Sequence, residues 1–442
     1  MRTKIILTVI LSSCLAGRGD GQPAASPTAP PATTNLLALD LVIQAVLADN
    51  AAIKAARAKW EAMKQRVPQA RAWEDLRVGL DATAGRFVTV PPNSFADYRY
   101  TAEQTLPLSG KNRWRAAAAS AEAVVAFEDL RRRQLDLVAR ARAAYFRLAN
   151  AYTQLDLNGK NEALLKQFAE ISRAKYEVGK QSQAGVLLAE TDLAELAEAR
   201  FDFQRQIDAA ESQLNVLMNR PAQPPLGRPA SLSFLPIDLD PDRLQKLALA
   251  QRPELVMAQK QIDAAQARWE AARREWVPEP SFRIEASQYN AAAQTISELT
   301  AGFSINVPWF NRRKYKAGIA ETRSLAESAQ RELEGLQAET LGLVRDQLKK
   351  IQTFHHHSLL FRDRLVPLAQ QSVKATQAAY ETDQAGFLEL IIARRNLQQV
   401  ESTYGNHLAD YHTAVAELEA LIGADPTRQP AAPAKSKQES SP

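Results

Sequence analysis

The sequence predicts a mainly α-helical fold with a small β part, in which one unit of about 200 residues is used twice. Long proline-free stretches with apolar residues at helical spacing indicate the helices, and four short stretches of alternating apolar and polar residues indicate strands. The 24% of charged residues mix both signs along the chain, and the formal net charge is only +5. This mild, scattered charge gives no support to nucleic-acid binding.

The N-terminus predicts export. Arg2 and Lys4 precede an apolar run over residues 5–11, and small residues follow, as in a secretory signal peptide. The only cysteine closes the tetrapeptide Leu11-Ser12-Ser13-Cys14, which resembles a bacterial lipobox. We expect residues 1–13 to be removed and Cys14 to carry lipid. The alternative is an incidental cysteine in an ordinary signal peptide.

The strongest pattern is an internal repeat. Residues 107–116 align with residues 308–317 at an offset of 201, and Tyr176-Glu177 aligns with Tyr380-Glu381 at an offset of 204. A repeat of this length is too long for a helical solenoid unit. We therefore divide the chain into a signal peptide (1–13), a flexible linker (14–35), a first repeat (36–222), an inter-repeat linker (223–240), a second repeat (241–425) and a disordered tail (426–442).

Each repeat has the same predicted order of helix, strand, strand, long helix and returning helix. The first helices are predicted over 36–67 and 241–276, the long ones over 111–178 and 312–380, and the returning ones over 185–219 and 388–422. Pro367 predicts a kink in the second long helix. The strands are predicted at about 74–88, 97–106, 280–290 and 298–307.

The predicted strands are apolar on one side and polar on the other. In the first, Val78 and Leu80 alternate with Arg77 and Asp81. Such a sheet is stable in lipid only when every strand edge is paired, because unpaired backbone groups are costly in hydrocarbon. Four strands cannot close a barrel, whereas three chains supply twelve. A soluble four-stranded sheet covering a core is the alternative.

The long helices favour the membrane interpretation. At 1.5 Å per residue, residues 111–178 would extend roughly 100 Å. Their apolar residues follow alternating three- and four-residue steps, which is the pattern of coiled-coil packing. An ordinary globular core does not need helices of this length.

No catalytic, cofactor or metal motif is evident. Ser109-Gly110-Lys111 follows a strand, but a phosphate-binding loop would need glycine at Thr105 and a hydroxyl residue at Asn112. Consecutive helical residues point about 100° apart, so the run His355-His356-His357 cannot hold one ion by itself. His355 continues an apolar stripe, which favours packing. We expect neither an enzyme nor a metal protein.

Residues 36–425 resemble the TolC family of outer-membrane efflux proteins. The similarity is carried by the segment Gln104-Thr-Leu-Pro107-Leu-Ser-Gly110-Lys111 before the long helix, by Arg252-Pro253-Glu254-Leu255, and by the turn Tyr176-Glu-Val178-Gly179. The resemblance implies a homotrimer with a twelve-stranded outer-membrane β-barrel and a periplasmic α-helical barrel. It implies a passive exit duct for small molecules or ions, joined by a periplasmic adaptor to an inner-membrane pump, which we expect to be proton-driven.

The resemblance also implies where the working residues lie. Val178 and Gly179 fall in the tip turn of the first repeat, and with Lys180 they form the candidate adaptor contact. Lys180 departs from the family pattern, which frequently has an apolar residue there. Asp383 occupies the usual glycine position of the second tip, where three copies would form an acidic ring at the gate. A solvated turn residue is the simpler alternative for Asp383. For the whole chain, the alternative is a periplasmic coiled-coil adaptor or structural lipoprotein without channel activity.

Overall fold

The computed structural model describes residues 36–84, 96–234, 240–289, 296 and 298–424. The predicted signal peptide, the linker with Cys14 and the tail 426–442 lie outside the described residues. The prediction of a mainly helical chain with one small sheet is confirmed.

The helices of the first repeat are α1 (Leu39–Asp49), α2 (Ala51–Arg71), α3 (Lys111–Glu177) and α4 (Gln183–Leu217). Those of the second are α5 (Pro241–Gln251), α6 (Pro253–Arg274), α7 (Arg312–Leu360), α8 (Val366–Glu381) and α9 (Phe387–Ile422). The strands are β1 (Arg77–Ala82), β2 (Ala96–Thr105), β3 (Pro280–Tyr289) and β4 (Glu298–Ile305). Helix α3 has 67 residues, so it extends about 100 Å.

The prediction of a single first helix in each repeat was wrong. The chain leaves the helical conformation at Asn50, between α1 and α2, and at Arg252, between α5 and α6. The Asn50 side chain accepts a hydrogen bond of 2.9 Å from the backbone N–H of Ala52 and so caps α2. Pro253 disfavours a helical Arg252 and starts α6. The break occurs at equivalent places in both repeats.

The second long helix is interrupted ahead of Pro367. Residues Phe361–Leu365 form a π-helical turn between α7 and α8, in which the Val366 N–H donates to the Phe361 carbonyl oxygen. Pro367 has no N–H for the carbonyl group of Asp363, so regular α-helical bonding cannot continue through this point. The first repeat has no such interruption, since α3 is continuous.

The four strands form one antiparallel sheet in the order β1-β2-β3-β4. The central pair, β2 with β3, joins the two repeats, and Thr101 lies opposite Glu285. Within the described residues, β1 and β4 are hydrogen-bonded on one side only. Both outer edges of the sheet therefore have backbone groups free to pair with another chain.

The two faces of this sheet differ completely in polarity. Pairing aligns the apolar side chains of all four strands on one face, for example Val78 opposite Ala102 and Phe282 opposite Phe303. This face is exposed, with Val78 at 76% and Phe303 at 62%. The other face is polar and carries the cross-strand ion pairs Arg99–Glu285 at 2.8 Å and Arg283–Glu103 at 3.7 Å.

Buried side chains form three clusters among the helices. One lies among α1 to α4, where Leu148 and Leu214 are fully buried, and one lies among α5, α7 and α9 around Leu418. The third joins both repeats through α3, α4, α8 and α9, with Phe168 and Leu390 in its centre. Within the described ranges, every helix falls short of the length or the apolar character needed to span a membrane.

Candidate functional site

The candidate site consists of two turns, one joining α3 to α4 and the other joining α8 to α9. Each turn ends its helix with a left-handed residue, Gly179 at φ +75° and Asp383 at φ +58°. The N–H of Lys180 donates to the Lys175 carbonyl oxygen, and the N–H of Gln384 donates to that of Ala379, both at 2.8 Å. The two turns thus share one helix-ending geometry, the Schellman motif.

Asp383 occupies a conformation that glycine adopts without strain. A left-handed backbone costs a residue with a side chain about 1–2 kcal/mol, and aspartate is among the residues that tolerate it best. The second turn therefore accepts some strain in order to present a carboxylate where the first turn has only a hydrogen atom.

The Asp383 carboxylate binds two lysines of the first repeat. Its Oδ1 lies 2.6 Å from Lys175 Nζ, and its Oδ2 lies 3.3 Å from Lys180 Nζ. Hydrogen bonds from Lys175 and then Lys180 hold the pKa of Asp383 below its ordinary value. We call Lys175, Lys180 and Asp383 the tip latch, because they connect the turns of the two repeats.

A buried polar network supports the latch. The Lys175 ammonium group lies 4.2 Å from the centre of the Tyr380 ring and donates a hydrogen bond to the Tyr380 carbonyl oxygen. The Tyr380 hydroxyl donates to Gln181, whose amide in turn donates to Ser172 at 2.6 Å. Lys175 is therefore fixed by partners other than Asp383, whereas Lys180 is exposed and its ammonium group has no further partner among the described residues.

The exposed part of the site is partly apolar. Val178, one of the predicted contact residues, is 69% exposed at the apex of the first turn. A groove of about 780 Å³ opens beside the latch, and its lining includes Leu188, Phe387 and Leu388. The tips thus present charged and apolar side chains around one groove, since Lys175, Lys180 and Asp383 also line it.

A buried ion pair joins the returning helices α4 and α9. Asp192 is 1% exposed and accepts hydrogen bonds from Arg394 at 2.9 Å and from Arg395. Burial by itself would raise the pKa of Asp192, but the hydrogen bonds from Arg395 and Arg394 lower it overall. Burial lowers the pKa of the Arg394 guanidinium, which is 2% exposed.

The structure brings Asp383 and Lys180 together and places Val178 and Gly179 in the same turn as Lys180. Sequence reasoning missed Lys175 and the pair Asp192–Arg394. The alignment of the two repeats contains a signal for these residues, because the two copies differ in charge at equivalent positions. At an offset of 204, the following pairs are unlike: Lys175 with Ala379, Gly179 with Asp383, Lys180 with Gln384, and Glu190 with Arg394.

Over the described part of the chain, no group of three or more His, Cys, Asp or Glu side chains is placed to hold a metal ion. What the site contains is an ionic connection between two helical turns.

A duplicated helical fold with an amphipathic, open-edged sheet defines the class of outer-membrane channel proteins. The chain belongs to the outer membrane efflux protein family, whose sequence profile matches residues 42–220 and 244–424. Membership places it in the outer membrane, with its helices in the periplasm, and confirms the resemblance to the TolC family.

Solved structures share this fold. The channel protein CusC superimposes with a TM-score of 0.75 at 17% identity, over 92% of this chain and 99% of CusC. VceC of Vibrio cholerae gives 0.73 at 17% identity, over 87% of this chain and 96% of VceC.

One similar curated protein is the alkaline protease secretion protein AprF of Pseudomonas aeruginosa, which is 23% identical over 313 residues. The match covers 69% of this chain and 64% of AprF, so the chain spans somewhat less than two thirds of that relative.

Proposed function

We propose that three copies of this chain form a passive exit duct through the outer membrane. The observation that carries the proposal is the four-stranded sheet with one exposed apolar face, one polar face and two open edges. Lipid would cover the apolar face, and water would fill the space beside the polar face. Joining β1 of one copy to β4 of the next would satisfy the edges and close a barrel of twelve strands.

The helices would continue this barrel as a periplasmic tunnel. Helix α3 extends about 100 Å, which suits a conduit that crosses much of the space between two membranes. The cluster that joins both repeats lies along α3, α4, α8 and α9, so each protomer would contribute a continuous wall. The duct itself would bind its cargo weakly, and a pump would supply the work.

The tips would connect the duct to its partners. Val178, Gly179 and Lys180 present an exposed turn beside an apolar groove, which suits docking of a periplasmic adaptor that recruits a proton-driven inner-membrane pump. Cys14 would carry lipid and hold the N-terminus at the outer membrane. No nucleic acid and no cofactor enter this scheme.

The tip latch would keep the tunnel closed. Asp383 binds Lys175 and Lys180 of the other turn, so the two hairpins of each protomer would stay together until an adaptor or a charge change separates them. Three copies of Asp383 around the threefold axis would form the gate ring, with its charge offset by the lysines in the closed state.

Single-channel conductance in planar bilayers tests the duct and its gate together. Purified full-length trimers should conduct little, and Asp383→Asn should raise the open probability several-fold without changing the largest conductance level. Lys166→Gln is the matched control, because Lys166 forms an exposed ion pair with Glu162 on α3, away from the latch. A complete lack of conductance in both the native protein and Asp383→Asn would refute the duct.

The main alternative is a periplasmic coiled-coil adaptor or structural lipoprotein that conducts nothing. Such a protein should run as a monomer after detergent extraction, whereas a barrel should be extracted from outer membranes as a heat-resistant trimer. A single helical hairpin would suffice for tethering, and the paired strands β2 and β3 from different repeats argue against that role.

Small molecules or ions are the cargo we propose, and a secreted polypeptide is the second candidate. The similarity to AprF, a protease secretion protein, favours the second. Efflux of a fluorescent dye and release of a secreted protease from cells with and without the gene would distinguish them.

A further inference from the structure

Two histidines from different helices have their rings in contact outside the tip site. His357 lies near the end of α7, and His407 lies in the middle of α9. The centres of their rings are 4.8 Å apart, with the ring planes inclined by 50°. Three consecutive histidines on one helix cannot bind one ion together. The neighbour of His357 is instead a histidine of another helix, His407 of α9.

Both Nδ1 atoms of this pair are buried, and neither has a hydrogen-bond partner among the described residues. Buried polar atoms without partners are rare in proteins, so each one requires an explanation. A neutral imidazole nitrogen with a free lone pair is an acceptor or a metal ligand. Two such nitrogens on adjoining rings form the beginning of a coordination site.

The ring separation fits a shared ion. With metal–nitrogen distances of about 2.0–2.1 Å, two imidazoles at angles between about 90° and 110° have ring centres roughly 4.5–5.2 Å apart. The observed separation of 4.8 Å lies inside this range.

Aromatic rings and one carboxylate surround the pair. The Phe361 ring centre lies 5.1 Å from that of His407, and the Phe354 ring centre lies 6.3 Å from it, so the pair has an apolar wall. Asp410 on the same helix is close enough to act electrostatically on His407. The Asp410 carboxylate would offset part of the cost of placing a positive ion beside this apolar wall.

We propose that His357 and His407 bind one divalent transition-metal ion of the kind that prefers imidazole, such as Cu²⁺, Ni²⁺ or Zn²⁺. Within the described chain no third His, Cys, Asp or Glu completes a metal-binding group, so water would occupy the other coordination positions. The ion would connect α9 to the end of α7, immediately before the π-helical turn Phe361–Leu365. It would thereby fix the place where the second long helix is interrupted.

Electron paramagnetic resonance of Cu²⁺ on the purified full-length protein tests the site. One Cu²⁺ per chain should bind, with hyperfine splitting from two imidazole nitrogens. His357→Gln and His407→Gln should each weaken binding at least about tenfold, since each removes a direct ligand. His356→Gln is the matched control, because His356 is the exposed neighbour in the same run and should leave affinity unchanged.

Three results would overturn the proposal. The first is a spectrum of the native protein that shows hyperfine splitting from one imidazole nitrogen or from none. This measurement does not depend on the folding of a variant. The second is an equal loss of affinity in His356→Gln, which would indicate adventitious binding by the histidine run. The third is unchanged affinity in a trimeric His407→Gln protein. Size-exclusion chromatography establishes the trimer for each variant.

Discussion

The two repeats share one order of helices and strands but differ in their long helices and in their tip turns. The long helix of the first repeat is continuous, and its tip turn has a glycine in the left-handed position. The second repeat has a π-helical turn before Pro367, and its tip turn has Asp383 in that position. The two repeats have nearly the same order of helices and strands. Their differences lie mainly in charged residues and in one helix interruption. Those differences are the best guide to function in this chain.

The largest effect should come from breaking the buried contact between the repeats. Asp192→Ala leaves the Arg394 guanidinium buried without its partner, so we expect a loss of about 3–5 kcal/mol in unfolding free energy. Denaturant unfolding of the purified protein, followed by circular dichroism, measures it. Replacing both residues, as in Asp192→Leu with Arg394→Met, should recover most of the loss, because no buried unpaired charge remains and Arg395 is half exposed to water.

Asp202 provides the control on the same helix. It forms an exposed ion pair with Arg205, so Asp202→Ala should change stability by less than about 1 kcal/mol. Equal losses for Asp192→Ala and Asp202→Ala would mean that the buried contact does not hold the repeats together.

An intermediate effect should come from the backbone of the first tip. Gly179 has φ +75° with open space around it, so Gly179→Ala meets strain without a clash and should cost about 1–2 kcal/mol. Gly159 also faces open space but lies inside α3, so Gly159→Ala should stabilise the protein by about 0.5–1 kcal/mol. Thermal unfolding of the two variants should therefore shift in opposite directions, and shifts of the same sign would contradict the turn geometry.

The smallest effect should come from titrating the latch. Because Lys175 and Lys180 lower the pKa of Asp383 in the folded state, the latch contributes fully above the ordinary aspartate pKa and is lost as pH falls through the lowered value. We expect open probability to rise roughly twofold to fivefold below about pH 4, and also with added salt, since the pair is exposed. Asparagine tolerates the left-handed backbone, so Asp383→Asn should show the raised open probability at every pH. A pH response that persists in Asp383→Asn would assign gating to another group.

The sequence predicted the features that depend on local pattern. Alternation placed the strands, Pro367 indicated the interruption of the second long helix, and the family resemblance placed Asp383 at the glycine position of the second tip. The breaks at Asn50 and Arg252 were missed, because helical spacing of apolar residues continues across them and only cap geometry separates the helices.

Contacts between the repeats could not be predicted in the same way. Lys175 binds a residue 208 positions away, and Asp192 binds one 202 positions away. Such pairs depend on how the two copies pack, which no local pattern records. The unlike charges at equivalent positions of the repeat are the nearest signal that the sequence contains.

In the proposed trimer three sheets join edge to edge, and cross-linking of the sheet edges tests this arrangement most directly. Val78→Cys lies in β1 and Ala301→Cys in β4, at opposite edges of one sheet. Three strand spacings of about 4.8 Å separate these edges, roughly 14 Å, so a bismaleimide shorter than about 10 Å cannot connect them within one chain. Each single-cysteine variant serves as a control, because it shows how much cross-linking arises through Cys14. The double variant in outer membranes should give covalent trimers on a denaturing gel, and a product that stays at the monomer mass would contradict the barrel.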